Sequence, residues 1–266
     1  MSTSPSNTAT LDADRPRTAA APGTPSMLTL TRVELRKSSD TRAGRWLLIV
    51  IGLAVLGVVA LSLFVEDAPK TFTDHFTFTQ LPVSILLPVL GILLVTSEWS
   101  QRTAMTTFTL VPRRSRVLAA KVLAATVLAV LGVIAAALAS ALATVLTPVS
   151  TDVDSDWGIS AGLVGQVLVV QVVTVLAGVA FGMLLLSSPL AIVLYFVLPT
   201  VFSLLVNLVS ALDWVRDWLD LSTTSMPLFE EGLDAQGWAQ FGTSALLWVL
   251  LPMVLGWLRI QRSEIA

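Results

Sequence analysis

The sequence predicts an all-α membrane protein with six transmembrane helices, and three observations predict it. Only 13% of the 266 residues are charged while 55% are hydrophobic, and soluble domains need about a quarter charged to cover a water-facing surface. Six apolar segments each approach the roughly 17 to 25 residues that cross about 30 Å of hydrocarbon at 1.5 Å per residue. Lysine and arginine are segregated along the chain in the manner of membrane proteins. The mean hydropathy of +0.81 agrees.

Residues 1–26 are rich in Ser, Thr, Ala and Pro and hold no apolar run, the composition of a disordered tail. No hydrophobic region precedes Trp46, so this tail is not expected to be a secretory signal. From Met27 to Arg45 the chain becomes basic, with Arg32, Arg36, Lys37, Arg42 and Arg45, and places Met27, Leu30 and Val33 at helical spacing. That pattern predicts a short amphipathic helix lying at the membrane interface. A six-span domain over 27–262 then carries spans at about 46–65, 79–97, 118–146, 160–186, 190–211 and 240–258. The second is short and contains Pro82 and Pro88, whereas the third and fourth are long enough to tilt or extend past the lipid. The turn Ser187, Ser188, Pro189 between spans four and five is so short that those helices must be antiparallel neighbours.

With the N-terminus in the cytoplasm, fourteen of the sixteen Lys and Arg fall on the cytoplasmic side, as the positive-inside rule requires. Lys70 and Arg216 are the exceptions. Both termini are therefore expected in the cytoplasm, with the chain in the cell (inner) membrane. Asp152, Asp154, Asp156, Asp213, Asp217, Asp220, Glu230, Glu231 and Asp234 then face outward. The formal net charge of −2 argues neither for nor against an anionic partner, because position matters more than the total.

Several chemistries are excluded or weakened. There is no cysteine, hence no disulfide, thiolate metal site or cysteine nucleophile. The single histidine, His75, makes a histidine metal cluster or a triad hard to assemble, and its setting among Thr and Phe predicts a solvated loop residue. No GxxxxGK[ST] loop is present, so phosphates are not cradled in the P-loop manner. The run from Asp152 to Gly158 is similar to the start of a calcium loop, but its glycine is one place late and position twelve is Leu163. Glu230 and Glu231 lack the arginine spacing of intramembrane proteases with paired glutamates. An enzyme is not expected, and neither is a metal or cofactor bound to this chain.

The expected span interiors contain no ionisable residue. Lys121 lies within a turn of the boundary, where it can snorkel, and Glu98 lies just past span two. Absence of an intramembrane carboxylate removes the usual proton-coupling groups, and no internal repeat favours an inverted-repeat transporter. Gln166, Gln171, Thr174, Ser203 and Asn207 are the polar residues left in the spans, and they suit either a substrate path or bonds across helices. Gly178 and Gly182 form a GxxxG pair, which permits close helix approach.

The segment Ser97–Arg116 between spans two and three is the most informative. Ser97 is placed to cap a short helix, Glu98 to meet its positive end and Arg102 at i+4, with Pro112 ending it. Apolar Ala104, Met105, Phe108 and Leu110 followed by Arg113, Arg114 and Arg116 fit an interfacial anchor or a protein-docking element equally well.

Glu98, Arg102-Thr103, Pro112-Arg113-Arg114 and Lys121, with Arg32-Val33-Glu34-Leu35-Arg36-Lys37 before span one, resemble the ABC-2-type transporter permease family. The six-span layout extends the similarity over roughly 27–262. The resemblance implies a cytoplasmic coupling helix between spans two and three that rests on a separate ABC ATP-binding subunit, with Glu98, Arg102, Thr103, Pro112, Arg113 and Lys121 as its carried-over residues. It also implies export, a second permease copy or paralogue, ATP and magnesium on the partner ATPase, surrounding membrane lipids, and no nucleic-acid partner. The proline-rich tail before Met27 is a departure from the family pattern. A membrane scaffold or sensor subunit, with basic loops binding lipid or a signalling partner, is the alternative that the residues leave open.

Overall fold

Ser26 opens the first helix, α1 (Met27–Asp40), by accepting the Thr29 amide at 3.1 Å. The computed structural model describes residues 25–65, 70–101, 113–150 and 154–262. Thr41 ends α1 and at once caps α2 (Arg42–Phe64), its hydroxyl accepting the Gly44 amide at 3.1 Å. A Cβ on Gly44 would sit 1.8 Å from the Ser38 carbonyl oxygen, so glycine is what lets the two helices meet at this tight corner. The face that α1 buries is polar, formed by Thr31, Glu34 and Ser38, while Val33 of its sparse apolar set stays exposed.

Four further long helices follow: α3 (Phe72–Ser100), α4 (Arg114–Ser150), α5 (Ala161–Leu185) and α6 (Ser188–Leu208). The last span runs as α9 (Ala235–Ala245), a π-helical turn at Leu246–Leu250, and α10 (Leu251–Arg262). Pro252 cannot donate to the carbonyl four residues back, and the wide π turn directly before it accommodates that lost bond. All six expected spans coincide with helices long and apolar enough to cross a membrane, the architecture of a multi-pass membrane protein. The regular elements among the described residues are all helical, apart from one isolated bridge between Thr71 and Asp156.

The second span starts seven residues before its expected position because Thr71 and Asp74 form a capping box, each satisfying the other's orphan amide. Ser97 does not open a new helix, as it lies in the last turn of α3, which continues through Ser100. The described start of α4 is Arg114, so any helix over 102–112 lies outside the described residues. Between α5 and α6 the turn closes with Leu186 in the left-handed region (φ 56°), and the two helices pack against each other as neighbours.

The bundle is built around α3 and α5, each with 61% of its apolar window buried, against 22% for α2 and 11% for α6. The outer helices thus leave most of their apolar surface uncovered by the rest of the chain. Glycine makes the central contact possible: a Cβ on Gly178 would stand 2.2 Å from the Pro88 carbonyl oxygen, and one on Gly182 3.2 Å from that of Ile92. The GxxxG pair of α5 is therefore the seat of α3. Ile51, Val55, Leu87, Leu90, Leu128, Val175, Val179 and Met183 fill the surrounding core.

The acidic stretch before the last span is ordered and folds back on the bundle. It comprises a 3₁₀ turn (Ser210–Leu212), α7 (Asp213–Leu219), α8 (Leu221–Ser225) and a second 3₁₀ turn (Met226–Phe229). Asp220, 1% exposed, caps α8 and accepts from Ser203 at 2.9 Å and Thr223 at 2.7 Å, while Trp248 donates its indole N–H to Leu219 at 2.7 Å.

Replacing Gly178 by valine is expected to push α5 off α3 and cost roughly 1–3 kcal/mol through overpacking, read as a lowered thermal-unfolding midpoint of the purified protein. Gly57→Val enters open space on α2 and should change stability by no more than roughly 0.5 kcal/mol.

Candidate functional site

Charges removed from water inside a low-dielectric bundle persist only where opposite charges and hydrogen bonds replace the lost hydration. At the end of the bundle where α3 finishes and α4 begins, four such groups meet. α1 supplies Glu34 and Lys37, one helical turn apart, the last turn of α3 supplies Glu98, and the second turn of α4 supplies Lys121. Glu34 is 4%, Glu98 3% and Lys121 1% exposed, so three of the four are lost to water almost entirely.

The geometry is a closed ring in which each carboxylate touches both ammonium groups. Lys121 Nζ lies 2.6 Å from Glu34 Oε2 and 3.3 Å from Glu98 Oε1. Lys37 Nζ lies 2.7 Å from Glu34 Oε1 and 2.9 Å from Glu98 Oε1. Lys121 also donates to the Leu94 carbonyl oxygen at 2.8 Å, so its three donors meet three acceptors. Two positive and two negative groups leave the ring neutral. Burial pushes the Lys37 ammonium towards deprotonation, but the hydrogen bonds and charges of Glu34 and Glu98 outweigh it and hold its pKa above the ordinary lysine value.

Other cations at this end pair with backbone oxygens. Arg114 donates to the Ile260 carbonyl at 2.7 Å, joining α4 to α10, Arg116 donates to Pro25 at 2.7 Å, and Arg259 donates to Leu184. They tie α4 to α10, α4 to the residue ahead of the α1 cap, and α10 to the end of α5.

The structure brings together two of the residues singled out in the sequence, Glu98 and Lys121, and corrects how each is used. Lys121 does not snorkel: it points into the bundle and is held by α1 and α3. Glu98 does not open a helix; it closes α3 and pairs with Lys37 and Lys121. Arg113 is exposed just ahead of α4. Arg102, Thr103 and Pro112 lie outside the described residues. Glu34 and Lys37, absent from the expected site, complete it. The signal for Glu34 was the i, i+3, i+7 spacing of Thr31, Glu34 and Ser38, a polar stripe on α1 where an interfacial helix buries an apolar one.

The remaining polar residues sort by burial. Gln171, 0% exposed, donates to Gln80 Oε1 at 3.2 Å and Ser84 at 2.9 Å, joining α5 to α3. Gln166 is buried, whereas Asn207 is exposed and donates to the Ser203 carbonyl of its own helix at 2.7 Å. His75 is corrected outright: it is 1% exposed within α3, with Nδ1 3.1 Å from Ser62 of α2 and Nε2 3.3 Å from Thr147 of α4. A capping box that lengthened α3 carried this histidine out of the expected loop and between three helices.

No protein-family profile and no curated protein matches the chain.

Lys121→Met leaves two buried carboxylates facing one ammonium and is expected to destabilise the protein by about 3–5 kcal/mol. Adding Glu34→Gln restores charge balance and should recover most of that loss. Thermal unfolding of the detergent-solubilised single and double variants measures the coupling, and additive losses would show that the ring is not a unit.

Proposed function

We propose that this chain is the membrane-spanning permease subunit of an ABC-2-type transporter, working as an exporter with a separate ATP-binding subunit. The observation that supports this reading most is the placement of the ring at the two ends of segment 102–112. Glu98 stands at the end of the helix that enters the segment and Lys121 near the start of the helix that leaves it. Both are gripped by the same short helix, α1, through Glu34 and Lys37.

A displacement imposed on that segment is then delivered to α1, α3 and α4 as one body, because separating them strips buried charges of their partners. ATP-driven closure of the partner subunits supplies the displacement, and their differential affinity for two permease arrangements sets how far the equilibrium shifts. ATP and magnesium belong to that partner. Residues of this chain perform no bond chemistry in this account; they bind, transmit and line a path between two permease copies.

The basic end of the bundle is assigned to the cytoplasm from the distribution of Lys and Arg, which puts both termini inside and the α7–α8 hairpin outside. Glu98 and Lys121 act as the fixed ends of the coupling segment, Arg102, Thr103, Pro112 and Arg113 as its docking portion.

The chain contains no cysteine, so a single one introduced at Thr106 can carry a photo-crosslinker in native membranes. Capture of a P-loop ATPase, diminished by Arg102→Ala, is the expected result. Capture of lipid alone, or of a protein without a P-loop, contradicts the permease reading and favours a membrane scaffold or sensor.

A further inference from the structure

Beside the charge ring, on the side facing the α1–α2 corner, the surface opens into two adjoining hollows. The outer, of about 630 Å³, is edged by Arg36, Asp40 and Arg42. The inner, of about 220 Å³, is walled by Leu90, Leu93 and Leu94 of α3, with the hydroxyls of Ser97, Ser100 and Ser188 around it. Lys37, Thr41, Ala43 and Gln101 border both, which makes them one cleft whose chemistry grades from charge through hydroxyls to leucine.

Its depth is set by the spans. Arg42 begins α2 and Gln101 caps the end of α3, so the charged mouth lies at the membrane–water boundary and the leucine wall lies on the hydrocarbon side. Trp46, 67% exposed one turn into α2, occupies the level at which tryptophan anchors membrane proteins. The mouth is basic: Arg36, Lys37 and Arg42 border it against the single carboxylate of Asp40. Arg36 pairs with Asp40 at 3.1 Å and Lys37 with Glu34 and Glu98, while Arg42 has no carboxylate within ion-pair distance among the described residues.

We propose that this cleft binds an anionic phospholipid, its phosphate at Arg42, Arg36 and Lys37 and the upper part of an acyl chain in the inner hollow beside Leu93. Basic pockets between spans at this depth attract anionic headgroups. A free phosphate would use the mouth alone and leave the inner hollow beside Leu93 unfilled, which is why the occupant is a lipid. Lys37 belongs to both the cleft and the ring, so the headgroup adds a third anion to the lysine that ties α1 to α3. Membrane composition thereby acts on the clamp, and this conclusion stands whether or not the chain is a permease.

The test uses the full chain purified with equal amounts of phosphatidylglycerol and phosphatidylethanolamine and analysed by native mass spectrometry. Wild type is expected to retain phosphatidylglycerol in preference, and Arg36→Gln/Arg42→Gln to reduce that preference at least about fivefold, the factor that one surface cation contributes. Arg262→Gln, which removes an exposed cation at the same end of the bundle, should leave it unchanged. Equal retention of the two lipids by wild type overturns the proposal, as does an equal loss in Arg262→Gln. Displacement of the lipid by millimolar glycerol phosphate also overturns it, since a site for phosphate alone would behave in that way.

Discussion

Four paired charges, three of them almost wholly removed from water, decide how one end of this bundle is arranged. Glu34, Lys37, Glu98 and Lys121 come from three helices, and the three buried members persist in the low-dielectric interior only through their opposite charges. Their closure dictates that α1 lie against α3 and α4 with a polar face inward, and that the chain reverse sharply at Thr41. The glycine at 44 is a consequence of that reversal. A ring of this kind contributes more to register than to net stability, because desolvation offsets most of the attraction. It stands at both ends of the segment joining spans two and three.

At the bundle centre a different constraint operates. Lipid offers no hydrophobic drive for helices to associate, so close backbone approach and interior hydrogen bonds do that work. Gly178 and Gly182 let α3 pack with its carbonyls nearly in contact with α5, and the amide of Gln171 reaches Gln80 and Ser84 in the same interface. The rigid centre and the charged clamp share α3, whose last turn carries Glu98. One helix thus links the charged clamp to the packed centre of the bundle.

The six spans were legible because hydrophobic length is a property of local sequence. Gly178 and Gly182 were legible as a motif, and the structure shows which helix they admit. Lys121 and Glu98 were legible as residues but not in their roles, since a lysine near a span boundary snorkels unless a carboxylate waits inside, and that carboxylate sits 87 residues away in sequence at Glu34. His75 was misplaced because a two-residue capping box extended α3 beyond its apolar run. The order of the acidic hairpin was hidden for a related reason: Asp220 and Trp248 are fixed by tertiary partners that no periodicity encodes.

The central claim is that α1 and the facing ends of α3 and α4 form one rigid unit held by buried charge. Pulsed electron paramagnetic resonance between spin labels at Arg36 of α1 and Arg113 ahead of α4, both solvent-exposed and introduced into a chain free of cysteine, measures this in membranes. A single narrow distance distribution is expected in wild type, broadening in Lys121→Met and narrowing again in Lys121→Met/Glu34→Gln. An equally narrow distribution in wild type and Lys121→Met would contradict it.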